Sequence, residues 1–291
     1  MADLKDKTFI VTGANTGIGK ETALGLAKLG ATVVMACRDD ERGEAAQREI
    51  KQKSGNDRVE LMICDFSSQN SIRQFAKEFE QQHRRLDVLV NNAGVVLRER
   101  SMTEDGLEST FAINHLGYFL LTSLLLELLK KSAPSRIVSV SSAAHKYGKL
   151  DVNAWPTGRD YRAFGAYANS KLANVLFTYE LARRLEGTRV TANCLHPGGV
   201  GTNLFRGLPK FLQALIKLVT ISPERGARTS IYLASSAEVE GVTGKYFARR
   251  RQQKSSEATH NEDAARKLWE VSEELTGPES GRPAPRESRD S

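Results

Sequence analysis

Short β-branched runs alternate with longer segments of helical period along almost the whole chain, and few folds accept that alternation. The runs at 7–13 (KTFIVTG), 31–38 (ATVVMACR), 58–65 (RVELMICD), 86–94 (LDVLVNNAG), 135–142 (SRIVSVSS) and 188–198 (TRVTANCLHPG) are predicted strands. The segments 18–30, 40–53, 67–82, 106–131 and 163–186 between them are predicted helices, the first closed by Gly30 and the third opened by serine. A shorter strand at 244–248 (GKYFA) and a last helix at 261–277 follow. Strands that alternate with helices of roughly ten residues or more build βαβ units. Strands that are apolar almost throughout belong to a sheet covered on both faces. The expectation is an α/β fold with a single doubly wound parallel sheet of Rossmann type and helices on both faces. Residues 1–276 are expected to form one domain, and the polar, proline-bearing 277–291 a disordered tail. No internal repeat is present.

Charge and cysteine usage narrow the function class. The chain carries 42 Lys and Arg against 35 Asp and Glu, a net +7. Its densest basic patch, 248–254 (ARRRQQK), has no interleaved aromatics and no nucleic-acid motif beside it, so no nucleic-acid partner is expected. Cys37, Cys64 and Cys194 are odd in number, lack a CxxC spacing and sit in or beside apolar runs. They are expected to be reduced and buried in a cytoplasmic protein. His115 and His196 have no second ligand at a useful spacing, so no metal is expected. Residues 109–126 lack Asp, Glu, Lys and Arg, near the lower limit for a membrane-spanning helix. They contain Asn114 and His115 and lie between strand patterns, so a buried helix is expected. The N-terminus leads directly into a strand, with no apolar signal core.

The first strand ends in TGANTGIG, residues 12–19, and opens a helix. Gly13, Gly17 and Gly19 let backbone amides approach a pyrophosphate that sits on the N-terminus of that helix. The context of strand, loop and helix marks 13–19, with Asn15, Thr16 and Ile18, as a dinucleotide-binding loop. Its spacing is GxxxGxG rather than GxGxxG. At the end of the second strand, where an acidic residue would hold a ribose 2′-hydroxyl, stands Arg38. An arginine suits a 2′-phosphate, and Arg42 stands ready to assist. Asp39 follows directly, so NADP(H) is the preferred cofactor and NAD(H) the alternative.

Tyr167 stands four residues before Lys171, on one helical face. In TGANTGIG at 12–19, NNAG at 91–94, Asn114, VSS ending at Ser142, YANSK at 167–171 and HPGGVGT at 196–202, the chain resembles the short-chain dehydrogenase/reductase family over nearly its whole length. The wording ACRD, NHLGYFLLT, SAPSRIVSVSSAAH, SKLANVLFTYELARRL and RKLWEVSEEL resembles its retinol dehydrogenase branch. Members of that branch often carry an N-terminal membrane anchor, which is not expected here. The resemblance implies Tyr167 as general acid in carbonyl reduction and base in alcohol oxidation. Lys171 is implied as the cation that lowers the phenol's pKa and binds the nicotinamide ribose. Ser142 would hydrogen-bond the substrate oxygen, and Asn114 would hold a water that links Lys171 to solvent. Asp65, Phe66, Asn92, Ala93, Gly94, Pro197, Gly198 and Val200 would line the cofactor, and Thr202 would reach its carboxamide. Neighbours on a strand point to opposite faces, so only one of Ser141 and Ser142 can face the site, and the family motif selects Ser142.

The gap from Ser142 to Tyr167 is 25 residues, long for the family and matching the retinol dehydrogenase branch; the insert is expected to be a loop at the substrate mouth. Residues 200–222 are expected to form a substrate lid. From Lys210, Phe211, Leu212, Leu215, Ile216, Leu218 and Val219 cover one side of a helical wheel and Lys210, Gln213, Lys217 and Thr220 the other. A core-packed surface helix has the same pattern. The lid reading implies a lipophilic aldehyde or ketone, retinal-like or otherwise hydrophobic, and a peripheral membrane contact through the basic side. The resemblance also implies a homodimer paired through the helices at 106–131 and 163–186. A steroid or xenobiotic carbonyl reductase and a non-catalytic dinucleotide-binding sensor are the alternatives.

Overall fold

In the computed structural model, residues 4–150, 161–198 and 221–277 are described. Their strands are β1 (Thr8–Thr12), β2 (Thr32–Cys37), β3 (Val59–Ile63), β4 (Val88–Asn91), β5 (Ser135–Val140), β6 (Val190–His196), β7 (Lys245–Ala248) and β8 (Arg251–Gln253). The helices are α1 (Gly17–Lys28), α2 (Asp40–Ser54), α3 (Gln69–Gln82), α4 (Ser109–Lys131), α5 (Ala163–Arg184), α6 (Pro223–Ser235) and α7 (Glu262–Thr276). The sheet runs β3-β2-β1-β4-β5-β6-β7-β8, parallel from β3 to β7, with β8 antiparallel at the edge. The chain reverses its direction of winding between β1 and β4. In such sheets the crevice at the carboxyl ends of the strands, at that reversal, is where ligands sit.

Strand alternation assigns each apolar side chain to one of two layers. Ile10, Val34, Ala36, Leu89 and Ile137 face α3, α4 and α5, through Phe75, Phe79, Leu121, Leu125 and Phe177. Phe9, Val11, Val33, Met35, Val88 and Val138 face α1, α2 and α6, through Leu24, Leu26, Ile50 and Leu233. Burial of one such side chain stabilises the fold by roughly 1.5–3 kcal/mol, and a one-residue slip of any strand would exchange the two layers. Cys37, Cys64 and Cys194 are free and buried, and burial raises all three thiols above their ordinary range.

Four features differ from the expectations. The helix expected from residue 106 begins at Ser109, because Gly106 turns at φ +74° and Glu108 caps the Thr110 and Phe111 amides at 2.7 and 2.9 Å. Inside α4, Ala112–Leu116 forms a π turn in which the Gly117 amide donates to the Ala112 carbonyl. α6 is an additional helix, capped by Ser222 with Pro223 in its first turn. β8 is an additional strand, joined to β7 by a two-residue hairpin turn at Arg249 and Arg250, whose φ values are +52° and +61°. This is the left-handed turn that Asn-Gly usually fills, and left-handed backbone costs a side-chain-bearing residue about 1–2 kcal/mol.

α4 is long and apolar enough to cross a membrane by composition, yet most of it lies buried in the core. α7 packs across α4 and α5. Its buried Ala265, Leu268, Trp269, Ser272 and Thr276 follow helical spacing. Trp269 stacks on Phe177 at 5.8 Å, meets Phe119 edge-on at 4.9 Å and lies under the Arg184 guanidinium at 4.3 Å. The expected lid helix from Lys210 and the tail beyond Gly277 lie outside the described residues.

Candidate active site

The dinucleotide loop is tied down before any ligand arrives. Gly13 takes φ +65° and donates to the Ala36 carbonyl at 2.8 Å, joining the loop to the end of β2. A Cβ on Gly19 would come 2.3 Å from the Gly13 carbonyl oxygen, so only glycine fits where α1 passes beneath the loop. A Cβ on Gly17, φ +57°, would meet nothing within 4 Å: the loop faces open space at the start of α1. Thr16 caps α1 without a side-chain hydrogen bond, which leaves first-turn amides for a phosphate. Asn15 and Ile18 flank this opening, half-buried. These features fit a pyrophosphate.

Arg38 is exposed directly after β2. Asp39, its acidic neighbour, is engaged elsewhere: its carboxylate accepts from the Arg42 amide at 2.9 Å and caps α2. Asp65 closes β3 by accepting from the Ser67 amide and hydroxyl at 2.9 and 2.7 Å. The Phe66 side chain is buried against Gly117 and edge-on to Tyr118, so only its main chain can line the crevice. Asn92 and Ala93 donate their amides to Thr12 Oγ1 at 2.8 and 2.9 Å, and Asn92 Nδ2 donates to the Thr12 carbonyl at 2.7 Å. Gly94 leaves room for the lysine: a Cβ there would lie 3.6 Å from Lys171 Nζ and 3.2 Å from Asn114 Oδ1.

β5 and α5 bring Ser142, Tyr167 and Lys171 together. Ser141 points away, donating to the Lys171 carbonyl at 2.8 Å. Ser142 faces the crevice, where its hydroxyl lies near enough to the Tyr167 phenol to favour the ionised form and accepts from the Ala144 amide at 3.2 Å. Lys171 is 3% exposed; its Nζ donates to the Val140 carbonyl at 3.0 Å and lies 5.6 and 5.7 Å from the centroids of Tyr118 and Tyr167. Burial lowers the lysine to about 7 and raises the Tyr167 phenol above its ordinary 10. Desolvation sets the direction of the phenol's shift, and the Ser142 hydroxyl opposes it.

Asn114 acts as a clamp. The π turn aims it across to the β4 loop, where it exchanges hydrogen bonds with both backbone groups of Val95 at 2.8 and 2.9 Å and donates to Ser170 Oγ at 3.0 Å. Both amide hydrogens are used, so the side chain is not free to donate to a relay water. His115 is structural, buried between Asn174 at 3.3 Å and Ser272 at 3.0 Å and held neutral, at about 3, by burial. His196 accepts on Nδ1 from the Ala143 and Gly198 amides at 3.2 and 3.3 Å, bracing the serine turn against the segment that follows Pro197. His145 donates from Nδ1 to the Ser142 carbonyl at 2.6 Å and accepts on Nε2 from the Ser256 amide at 3.1 Å, which fixes its tautomer. Val200 and Thr202 lie outside the described residues.

Sequence reasoning missed Thr12, Tyr118 and Ser170, which hold the site through backbone and amide groups. Tyr118 donates to the Ala93 carbonyl at 2.7 Å beneath Lys171. Its spacing of one turn from Asn114 was the available signal. A groove of about 1090 Å³ at the opposite end of the sheet, beside Leu4, Asp87 and Arg136, contains none of these residues.

The sequence model of the short chain dehydrogenase family matches residues 7–212, and the chain belongs to that family. It is an oxidoreductase acting on CH–OH donors. Retinol dehydrogenase 14 of Homo sapiens is 48% identical over 290 residues, covering 93% of this chain and 86% of that protein. Within the family the chain lies in the retinol dehydrogenase branch. A structure from Mycobacterium paratuberculosis superposes with a TM-score of 0.75 at 37% identity, covering 93% of each chain. A short chain dehydrogenase from Escherichia coli CFT073 complexed with NADPH gives 0.65 at 26% identity, covering 86% of this chain and 98% of the other.

The buried lysine has a measurable consequence. Between about pH 7, its folded value, and its ordinary 10.5, the folded chain holds a neutral lysine and the unfolded chain a charged one. The unfolded state then binds the extra proton, so this lysine's contribution to stability improves as pH rises through that window, by about 1.4 kcal/mol per pH unit. Denaturant unfolding of wild type and Lys171→Met across the window should show that difference in slope, and equal slopes would place the lysine in water.

Proposed function

We propose that the protein is an NADP(H)-dependent oxidoreductase that interconverts a lipophilic aldehyde or ketone, retinal-like or another hydrophobic carbonyl, and its alcohol. The observation that carries the reading is the convergence of Ser142, the Tyr167 phenol and the buried Lys171, whose Nζ lies 5.7 Å from the Tyr167 ring. A dinucleotide-binding sensor has no use for a phenol, a serine and a buried lysine gathered at one point. Bound NADP(H) supplies the hydride. The chain's own groups do the rest. Gly13 to Gly19 and the first turn of α1 bind the pyrophosphate, and Arg38 pairs with the 2′-phosphate. Asp39 does not compete as a ribose acceptor while it caps α2. The Ser142 hydroxyl holds the substrate oxygen in hydrogen-bond reach of Tyr167. A phenol raised by burial stays protonated at neutral pH, and that is the form that gives a proton to a carbonyl oxygen. In alcohol oxidation the same oxygen takes the proton back. Lys171 holds positive charge next to the ring as the phenolate forms.

The name of the relatives, retinol dehydrogenase, supports a lipophilic substrate. So do the apolar side of 210–220 and two exposed rings near the catalytic pair, Tyr147 and Phe164. The reduced, buried thiols suit a cytoplasmic setting.

Arg38→Ala should weaken NADPH roughly ten- to a hundredfold more than NADH, since only the phosphate loses a charged partner. Fluorescence titration of both cofactors decides it; an equal loss would remove Arg38 from phosphate recognition. Across linear aldehydes, kcat/KM should rise with chain length by up to about fourfold per methylene. A flat series would leave the carbonyl class polar or small.

A further inference from the structure

The β7–β8 hairpin sets side-chain-bearing residues where glycine would be relaxed. Arg249 and Arg250 occupy its left-handed positions, at φ +52° and +61°, and Arg251 pairs with Ala248 across it. All three are exposed, and among the described residues none forms an ion pair. Turn chemistry alone would favour Asn-Gly at the tip, so the cations are kept against the local backbone preference.

The hairpin projects from the active-site end of the sheet. Ala248 pairs with His196, which precedes Pro197 and Gly198. Arg249 and Lys146 are both near enough to His196 to disfavour its protonation. The Arg250 amide donates to Thr229 Oγ1 on α6 at 3.3 Å, which brings the tip to the first turns of that helix, where Arg225 and Arg228 are exposed. The acid there, Glu224, lies 3.6 Å from Arg228. On the same rim Tyr147 follows Lys146 and is 70% exposed; it meets Phe164, 59% exposed, at 5.9 Å. Exposed aromatic rings edged by unpaired cations match the interface of a negatively charged bilayer, where rings sit at headgroup depth and arginines meet phosphates.

We propose that the Arg249–Arg251 hairpin, with Tyr147 and Phe164 on the same rim, is a docking surface for the anionic headgroups of a phospholipid bilayer, and that it seats the mouth of the active site on the membrane. A carbonyl dissolved in lipid then reaches Tyr167 without crossing water. Docking is read as lipid binding, so it stands or falls apart from the catalytic assignment.

The test is co-sedimentation of the full chain with phosphatidylcholine vesicles, with and without phosphatidylserine. Binding is expected only with phosphatidylserine and should be released by high salt. Arg249→Asn with Arg250→Gly relaxes the turn, so this variant should melt a few degrees higher while its vesicle partition falls roughly 25-fold, about fivefold per arginine. Arg250→Gln alone should lose about fivefold. Lys130→Gln with Lys131→Gln removes the same charge at the far end of the sheet and should leave partition unchanged. The proposal is overturned if wild type ignores anionic vesicles or if the hairpin variants bind like wild type. It is equally overturned if the Lys130 and Lys131 variant loses as much, or if the chain binds heparin or nucleic acid but no vesicle.

Discussion

The amine of Lys171 is buried at the carboxyl end of β5, with no carboxylate partner among the described residues, and much of the site is arranged to tolerate it. A lone buried cation is costly. Here it receives one carbonyl, from Val140, and the faces of two tyrosines. A Cβ on Gly94 would press on Asn114 Oδ1 at 3.2 Å and would just touch Lys171 Nζ at 3.6 Å. Asn114 reaches its clamp on Val95 from a π turn, which inserts one residue into α4 and re-aims the side chain. Tyr118, four residues on, closes the base beneath Ala93. Remove the lysine and these features lose their common purpose; keep it, and a phenol beside it gains a counter-charge when it gives up its proton.

The two pKa directions fit together. Burial pulls Lys171 down and pushes Tyr167 up, so both groups lean toward their neutral forms. A neutral phenol is a proton donor. Asp39 shows the same economy of side chains: its carboxylate caps α2, and Arg38 stands exposed directly after β2.

Much of this was legible in the sequence, for physical reasons. Strands buried on both faces must be apolar throughout, so β1 to β6 stand out, and Phe9, Ile10 and Val11 divide between the two layers as alternation requires. Gly13, Gly17 and Gly19, and the spacing of Tyr167 and Lys171, could be read because chemistry restricts which residues serve there. α6 was not legible. Its buried face is Gly226, Ala227, Thr229, Ser230 and Ala234 with Leu233, since Ile231 packs directly on Gly25 of α1 and close approach needs small residues, which mute the apolar period. The exposed Arg251, Gln252 and Gln253 of β8 carry no apolar signal at all. The π turn hides in a segment that is apolar on every side. The clamps at Thr12 and Ser170 act on backbone and amide groups, which composition does not reveal. Nor does sequence spacing report desolvation, which is why the direction of the Tyr167 shift emerged only with the burial of its surroundings.

The central claim is that the Tyr167 oxygen transfers the proton while contributing little to cofactor affinity. The direct measurement is single-turnover reduction of a hydrophobic aldehyde by Tyr167→Phe, beside NADPH binding by the same variant. The account requires the chemical step to fall by a factor of roughly 10² or more with the Kd for NADPH nearly unchanged. A chemical step within about tenfold of wild type, some 1.4 kcal/mol in barrier, would contradict it.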